Sequence, residues 1–245
     1  MTANDKTTPD AHPTADASTV AVFQDTWAVY RKVVDNNYLF HREAYAALRA
    51  QLTGAGVSPF RFLDIACGDA TASVDALRGT QLTHYHGIDF SSHALQLAAA
   101  ALGELGCSVE LEEGDFLDLV PERKDIADII WMGLSLHHLQ QADKLNFMRD
   151  IRSALEAGGA FLIYENSLRG AEDRDSWMRR WDEQRPAWTA FSDAEWVTIS
   201  NHVHAADYPE SHETWHRLGR EAGFRSSAHL LTTPTELFSL YRFDA

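Results

Sequence analysis

Short apolar strands alternate with helices through the middle of this chain, and this alternation limits the fold more than any other feature. Apolar runs typical of buried strands lie at 60–66, 83–90, 108–116, 126–133 and 160–166. Between them, helical spacing of apolar residues is found at 71–79, 92–106 and 144–155. Strands joined through helices pair in parallel, so the pattern predicts an α/β fold with helices on both faces of a parallel sheet.

The flanking segments do not follow this pattern. Residues 1–19 are rich in Thr, Ala, Asp and Pro, and we expect a disordered tail there. Residues 20–55 have apolar residues at helical spacing with a break near Asp35, which predicts a helical cap of two helices. The main domain would then span 56–245, with a helical lid insertion at about 167–215.

Composition restricts the compartment and the partners. The chain of 245 residues has 36 Asp and Glu against 21 Lys and Arg, a net charge of −15, so binding to the phosphates of a nucleic acid is not expected. Its two cysteines, Cys67 and Cys107, provide neither a disulfide framework nor a zinc-ligand quartet. Neither a secretory signal nor an apolar run long enough to span a membrane is visible, which predicts a cytoplasmic protein that does not bind membranes.

Three consecutive strands end in an acidic residue, at Asp64, Asp89 and Asp115. Ligands of open parallel sheets bind at the carboxyl ends of the strands. The turn after Asp64 lacks the G-x-G-x-x-G pattern that cradles a pyrophosphate, and an acid there suits a ligand with a cationic amine. A plain strand-to-helix turn is the alternative for this segment.

The other two acids suit the remaining parts of a nucleoside ligand. A carboxylate at Asp89 could accept hydrogen bonds from both hydroxyls of a ribose. It could instead cap the next helix, although Ser91 or Ser92 can do that. Asp115 followed by Phe116 could bind an adenine amino group and flank the ring, or could form a surface turn.

The ordered motifs LDIACGDAT, GIDFS, EEGDF, ADIIWMGLSLHHL and LEAGGAFLIYEN resemble those of the class I S-adenosylmethionine-dependent methyltransferases. The resemblance covers roughly 60–166. It implies a Rossmann-like, doubly wound, seven-stranded, mostly parallel sheet with an antiparallel last strand, the last two strands being 226–234 and 237–245. It also implies that 56–245 is the methyltransferase domain and that S-adenosylmethionine is the cofactor, with S-adenosylhomocysteine as the product.

By this resemblance the residues of each motif would bind one part of the cofactor. The implied cofactor-binding residues are Asp64, Ala66, Cys67 and Gly68 at the methionine part, Asp89 followed by Phe90 at the ribose, Asp115 and Phe116 at the adenine, and Met132 and Gly133 at the methyl region. The family's first motif often reads G-x-G-x-G, whereas this chain has Ala66 and Ala70 at the outer positions. Alanine blocks positive φ, so we expect different backbone contacts in this turn.

The catalytic candidates are His137 and His138, just past the fourth strand. Methyl transfer needs a base only when the acceptor arrives protonated, and packing or capping is the alternative role for this pair. Substrate-binding candidates on the cap are Tyr30, Tyr38, His41 and Arg42, although ordinary surface polarity would also explain them. Five tryptophans of the lid region could wall an apolar pocket or form the core of the lid: Trp177, Trp181, Trp188, Trp196 and Trp215.

The sequence predicts no metal. Glu165 and Asn166 match half of the magnesium site of catechol-type family members, but the fourth strand ends in 131–133 without the required Asp. Histidines of the lid region lack an H-E-x-x-H pattern and fit a polar lid and a solvated helix face: His202, His204, His212 and His216.

These patterns predict methyl transfer from S-adenosylmethionine to an N, O or C atom of a small molecule. One alternative is a tRNA or protein methyltransferase of the same fold. A second alternative is a non-catalytic cofactor-binding protein. A nicotinamide-dependent oxidoreductase is disfavoured, because the G-x-G-x-x-G pattern is absent.

Overall fold

The computed structural model describes residues 27–53, 58–121 and 123–245. The predicted disordered tail, 1–19, and the first part of the predicted cap lie outside the described residues. None of the described helices is both long enough and apolar enough to cross a membrane.

A single mixed sheet forms the centre of the protein. Its strands follow the order β3-β2-β1-β4-β5-β8-β7, and a two-residue strand, β6, pairs with β5. All pairings are parallel except those of β8, which runs antiparallel to β5 and β7. This confirms the predicted Rossmann-like sheet with an antiparallel last strand. The strands are β1 Phe60–Ile65, β2 Leu82–Asp89, β3 Ser108–Glu113, β4 Ala127–Gly133, β5 Leu155–Leu168, β6 Glu210–Ser211, β7 Ser226–Thr232 and β8 Phe238–Asp244.

Helices precede the sheet, connect its strands and pack on both of its faces. Their bounds are α1 Trp27–Asp35, α2 His41–Leu52, α3 Thr71–Leu77, α4 Ser92–Leu102, α5 Phe116–Leu119, α6 Gln141–Ala154, α7 Arg174–Asp182, α8 Asp193–Ala206 and α9 His212–Ala222, with 3₁₀ turns at Leu136–His138 and Arg185–Ala187. The break between α1 and α2 falls at Asp35, as the sequence predicts.

Two apolar clusters form the core because successive side chains of a strand point to opposite faces. Phe62 belongs to the first cluster, with α2, α3 and α4, whereas Leu63 belongs to the second, with α6 and α9. On β4, Trp131 belongs to the first cluster and its neighbour Met132 belongs to the second. The result is three layers, with a sheet between two layers of helices.

The fifth strand begins earlier than the sequence predicts. The segment 156–159 lies between the predicted helix 144–155 and the predicted strand 160–166, and in the structure it is part of β5. The pairing of β5 with β4 shifts register there, between Ala127 and Ile129 of β4. Gly158 has φ of +84°. A Cβ added to Gly159 would lie 2.7 Å from the Asp128 carbonyl oxygen. Two glycines therefore let the chain continue as an irregular strand where larger residues would force a turn.

Four of the five lid-region tryptophans pack against one another. This Trp cluster, which consists of Trp177, Trp181, Trp188 and Trp196, has stacked and edge-on rings with centroids 5.3–6.2 Å apart. Each of the four residues is at most 8% exposed. They therefore form the core of the 167–215 region, which is the second of the two roles considered from the sequence. Trp215 lies instead in the second apolar cluster.

Candidate functional site

The loop between β1 and α3 has three residues in the left-handed region. Ala66, Gly68 and Ala70 have φ of +56°, +55° and +54°. The expectation that alanine would block positive φ here is therefore wrong. The surrounding contacts hold both alanines in a conformation that costs roughly 1–2 kcal/mol for a residue with a Cβ. This β1–α3 loop (Ala66–Ala70) keeps the backbone shape that alternate glycines would give.

Asp89 holds this loop against the end of β2. Its Oδ2 accepts a hydrogen bond from the Gly68 N–H at 2.8 Å, and its Oδ1 accepts one from the Ser91 N–H at 2.8 Å. Ser91 caps α4 through Ala94, so Asp89 is not needed as the cap. Asp89 is 7% exposed, and burial raises its pKa although both backbone bonds oppose this. Each carboxylate oxygen can still accept a second hydrogen bond.

Asp64 lies deeper than the sequence suggests. It is 1% exposed, and its Oδ2 accepts hydrogen bonds from Ser73 Oγ at 2.5 Å and from Tyr85 Oη at 2.7 Å. Burial raises the pKa of Asp64 to about 6, and the charge of Asp89 adds to this rise, while the two hydroxyls oppose it. Asp64 thus forms a buried acid behind the β1–α3 loop.

Tyr30 of α1 lies above the β1–α3 loop. A Cβ added to Gly68 would lie 3.8 Å from the Tyr30 hydroxyl. Burial raises the pKa of Tyr30, and the nearby charges of Asp69, Asp89 and Asp64 raise it further. Next to it, Arg31 Nη1 approaches Asp69 Oδ2 at 3.4 Å. The first cap helix therefore contacts the loop directly.

A groove of about 510 Å³ opens between the cap helices and the β1–α3 loop. Its wall includes Tyr30, Cys67 and Ala70, together with His41 and Arg42 of α2. A volume of this size is typical of small-molecule and cofactor sites.

The ends of β2 and β3 hold the remaining ribose and adenine candidates. Phe90 is half-buried at the end of β2. Asp115 caps α5 by accepting a hydrogen bond from the Leu117 N–H at 2.9 Å, and Phe116 packs on Phe147 with ring centroids 5.0 Å apart. Asp115 therefore has a local structural role, which leaves its adenine contact a prediction.

The end of β4 presents backbone rather than the predicted methionine side chain. Met132 is fully buried in the second apolar cluster. Gly133 is half-buried, and a Cβ added there would meet the Trp131 ring at 3.5 Å. Trp131 in turn donates a hydrogen bond to Tyr45 Oη at 3.3 Å. The predicted contact of Met132 with the methyl region would therefore have to come from its backbone.

The two candidate catalytic histidines belong to a buried cluster with carboxylates. His137 Nδ1 lies 2.6 Å from Glu165 Oε2, and its Nε2 lies 3.6 Å from Asp207 Oδ1. Burial opposes protonation of His137, but the charges of Asp207 and Glu165 outweigh it and raise the pKa. His138 packs edge-on against His137, and burial lowers its pKa well below the usual range, helped by the charges of His137 and His202.

The cap candidates for substrate binding are divided between different surroundings. Tyr38 stacks on Trp188 with centroids 4.5 Å apart and accepts a hydrogen bond from the Ala190 N–H at 2.8 Å, so it joins the Trp cluster. Arg42 lines the groove and donates a hydrogen bond to the Asp35 carbonyl at 2.9 Å. The buried Nδ1 of His41 has no hydrogen-bond partner among the described residues, and burial lowers the pKa of His41 to about 4.

Sequence reasoning missed three residues that organise the site. Ser73 and Tyr85 bind Asp64, and Asp207 joins the two histidines. Tyr85 lies four residues before Asp89 in the buried half of β2, which could have drawn attention to it. Asp207 is 70 residues from His137 in sequence, and no local pattern connects them.

The site suits a ligand with cationic groups and a ribose. Asp69 lies in the β1–α3 loop, Asp64 and Asp89 lie close to it, and the oxygens of Asp89 can accept further hydrogen bonds from hydroxyls. The left-handed Gly68 keeps the loop free of a Cβ where a ligand would approach the backbone. S-adenosylmethionine has both an ammonium and a sulfonium, so these residues fit it.

Comparison with known proteins agrees with this geometry. Residues 62–159 match the model of a family described as "Methyltransferase domain". This segment contains β1 to β4, the β1–α3 loop and the first residues of β5. The segment 62–159 is thus similar to an S-adenosylmethionine-dependent methyltransferase domain, and this similarity implies S-adenosylmethionine as the cofactor.

The curated proteins and the solved structures that resemble this chain share little sequence identity with it. The chain is 25% identical over 110 residues to carboxy-S-adenosyl-L-methionine synthase 1 of Yersinia pseudotuberculosis, a match that covers 44% of this chain and 46% of that protein. An S-adenosylmethionine-dependent methyltransferase of Leishmania major superposes with a TM-score of 0.57 at 19% identity, covering 83% of this chain and 72% of the other. A Haloferax volcanii protein bound to the Trm112 methyltransferase activator superposes with a TM-score of 0.62 at 16% identity, covering 90% and 96%. These structures share the fold.

Proposed function

We propose that this protein transfers a methyl group from S-adenosylmethionine to an N, O or C atom of a small molecule. The observation that carries this proposal is the β1–α3 loop, which Asp89 binds through Gly68 and which opens onto a groove of about 510 Å³. Loops at the carboxyl ends of β1 and β2 are where parallel sheets of this type bind their ligands.

Each group of the site has a role in holding the cofactor. Asp89 would accept the ribose hydroxyls with the lone pairs that its two backbone bonds leave over. The backbone of the β1–α3 loop would contact the methionine part, while the buried Asp64 would act on its ammonium through charge. Bound S-adenosylmethionine supplies an activated methyl group, so the protein's task is to position the acceptor and exclude water.

The helices around the site favour a small acceptor. Tyr30 covers the β1–α3 loop, and Tyr38 fixes the cap to the Trp cluster. An acceptor would have to fit between the cap and the carboxyl ends of β4 and β5. The acidic balance of the chain also argues against an RNA acceptor.

A second candidate is chemistry on the cofactor itself. The curated relatives are named carboxy-S-adenosyl-L-methionine synthases, and they match 110 residues of this chain at 25% identity. In that case S-adenosylmethionine would be the substrate that is modified, and no methyl group would reach an acceptor.

Isothermal titration with S-adenosylhomocysteine tests cofactor binding, with NADH as the control ligand. We expect micromolar binding of S-adenosylhomocysteine and no binding of NADH.

A turnover assay then separates the two candidate functions. The protein would be incubated with methyl-labelled S-adenosylmethionine and a panel of small amines, phenols and keto acids, and the products would be identified by mass spectrometry. Labelled products together with S-adenosylhomocysteine support methyl transfer. A heavier form of S-adenosylmethionine supports the second candidate, and failure of the folded protein to bind S-adenosylhomocysteine would contradict both.

A further inference from the structure

The buried cluster of His137, His138 and Asp207 has the composition of a metal site. Asp207 Oδ1 lies 3.6 Å from His137 Nε2 and 3.5 Å from His138 Nδ1, and the three atoms lie within 4.8 Å of one another. Ligands at 2.0–2.2 Å from one tetrahedral ion are roughly 3.3–3.6 Å apart. Among the described residues this is one of two groups with suitable spacing.

One of the three candidate ligand atoms, the Oδ1 of Asp207, is a buried oxygen. Asp207 is 4% exposed, and its Oδ1 has no hydrogen-bond partner within the part of the chain that the structure describes. Its other oxygen accepts a hydrogen bond from Asn166 Nδ2 at 2.8 Å, which fixes the carboxylate plane. A buried carboxylate oxygen that faces two imidazole nitrogens without bonding to either is costly unless a cation lies between them.

The outer partners are those that metal-bound histidines require. His137 places Nδ1 2.6 Å from Glu165 Oε2, so a proton shared there leaves Nε2 as a lone-pair donor towards Asp207. Metal-ligating histidines commonly donate their second nitrogen to a carboxylate in this way, and ligating carboxylates are themselves hydrogen-bonded. Glu165 is fixed further by the Leu136 N–H at 2.6 Å.

Buried charge points in the same direction. Among the described residues, three buried carboxylates, Glu165, Asp207 and Glu210, lie in this region, and the buried ammonium of Lys144 contacts Glu210 at 2.9 Å. This excess of buried carboxylates over buried ammonium groups favours a cation. His138 Nδ1 lies 3.3 Å from the Ala206 carbonyl and would give up this contact on binding.

We propose that His137 Nε2, His138 Nδ1 and Asp207 Oδ1 bind a first-row divalent transition-metal ion, with zinc as the reference ion. Imidazole and carboxylate ligands select such ions over magnesium or calcium. The ion would join the end of β4 to the segment after α8, and it would give the two histidines a ligand role instead of a proton-acceptor role. The sequence prediction of no metal considered Asp207 only beside the lid histidines and not together with His137 and His138.

Metal titration of the full chain tests this site. Protein stripped with a chelator would be titrated with Zn²⁺ by calorimetry and with Co²⁺ by visible absorption. We expect one equivalent of each ion to bind with a dissociation constant in the micromolar range or below, and Co²⁺ bands typical of nitrogen and oxygen ligands in low coordination. Absence of stoichiometric binding to the folded wild-type protein would overturn the proposal.

Variants separate this site from other histidines. Asp207→Asn and His138→Gln should each weaken zinc binding at least tenfold, and Glu165→Gln should weaken it by ~10–100-fold through the outer partner. His204→Gln is the matched control, because His204 lies on α8 near the cluster but pairs with the exposed Asp182. His138 is the least buried ligand, so His138→Gln keeps the test valid if Asp207→Asn fails to fold. Equal affinity in His138→Gln and His204→Gln would place the ion elsewhere, for example at His86, Glu110 and Glu112, and would overturn the proposal.

The metal and the methyl transfer are separable. S-adenosylhomocysteine binding would be measured on the metal-free and the metal-loaded protein. Zinc binding to a protein that does not bind S-adenosylhomocysteine would support the metal site and contradict the proposed function. The reverse result would contradict only the metal site.

Discussion

A single buried carboxyl group gives the protein a pH dependence of its own. Asp64 has its pKa raised from 3.8 to about 6, because burial at 1% exposure and the nearby charge of Asp89 outweigh the hydrogen bonds from two hydroxyls, which lower it. A carboxyl group whose pKa is higher in the folded state than in the unfolded state contributes its full stability at a pH below the unfolded-state pKa. This contribution is lost as the pH rises through the folded-state pKa. Over that window the loss amounts to roughly 3 kcal/mol.

Asp64→Asn should therefore become more stable relative to the wild type as the pH rises from about 4 to about 7, by up to roughly 3 kcal/mol. The amide oxygen can still accept hydrogen bonds from Ser73 and Tyr85. Urea unfolding at several pH values measures the difference. Asp118→Asn, at an exposed position, is the control and should show a constant offset. If the stability difference between Asp64→Asn and the wild type is also independent of pH, burial does not destabilise the ionised form of Asp64.

Asp89 holds the β1–α3 loop and is the residue proposed to bind the ribose. Asp89→Asn should weaken S-adenosylhomocysteine binding by ~1–3 kcal/mol, because one acceptor oxygen becomes a donor where hydroxyls and backbone N–H groups need acceptors. Calorimetry on the variant and on Asp118→Asn provides the comparison. An unchanged affinity in a folded Asp89→Asn protein would remove Asp89 from the cofactor site.

Backbone strain at Ala66 predicts that glycine at this position would stabilise the folded protein. Ala66→Gly should raise the free energy of unfolding by ~0.5–1 kcal/mol, because relief at φ of +56° exceeds the entropy cost of glycine. Ala72→Gly in the first turn of α3 is the matched control and should lower stability by a similar amount. Thermal and urea unfolding would show the opposite signs, and a loss in both variants would mean that Ala66 is not strained.

At the scale of elements, one aromatic residue couples the cap to the 167–215 region. Tyr38 stacks on Trp188 at 4.5 Å and accepts the Ala190 N–H, and Lys32 Nζ contacts Glu195 Oε1 at 2.6 Å. The sequence predicts that the 167–215 insertion forms a lid together with the N-terminal helices. The structure shows that they pack together, so they should open together.

Tyr38→Leu should speed up amide hydrogen exchange in both α2 and α8, while the strands β1 and β4 stay protected. The reason is that the stack is lost but the sheet core is untouched. Tyr38→Phe keeps the ring and loses only the hydrogen bond, worth about 1 kcal/mol, and is the control. Exchange that increases in α2 alone would show that the two regions are not coupled through this residue.

At the scale of the whole molecule, charge limits the partners. A net charge of −15 should prevent binding to tRNA by counterion release. Filter binding at low salt should show no saturable binding, with S-adenosylhomocysteine either present or absent. Saturable binding that falls steeply with salt would instead support the alternative of a tRNA methyltransferase and point to a local basic surface.

The sequence by itself determined the order of strands and helices, the parallel sheet and the acids at the strand ends. It could do so because strand periodicity and helix spacing are local, and because the carboxyl ends of neighbouring parallel strands must share one edge. It also predicted a cofactor site around the loop at Gly68.

Which of these residues are buried, and which chemical groups come together, depends on the tertiary structure. Asp64 is buried behind the loop by Ser73 and Tyr85, and Met132 turns into the core because the pleat directs neighbouring side chains to opposite faces. His137 meets Asp207 across 70 residues of sequence, and this contact depends on how α8 packs at the end of the sheet. Such long-range contacts have no period and no local motif, so their chemistry becomes visible only when the chain is folded.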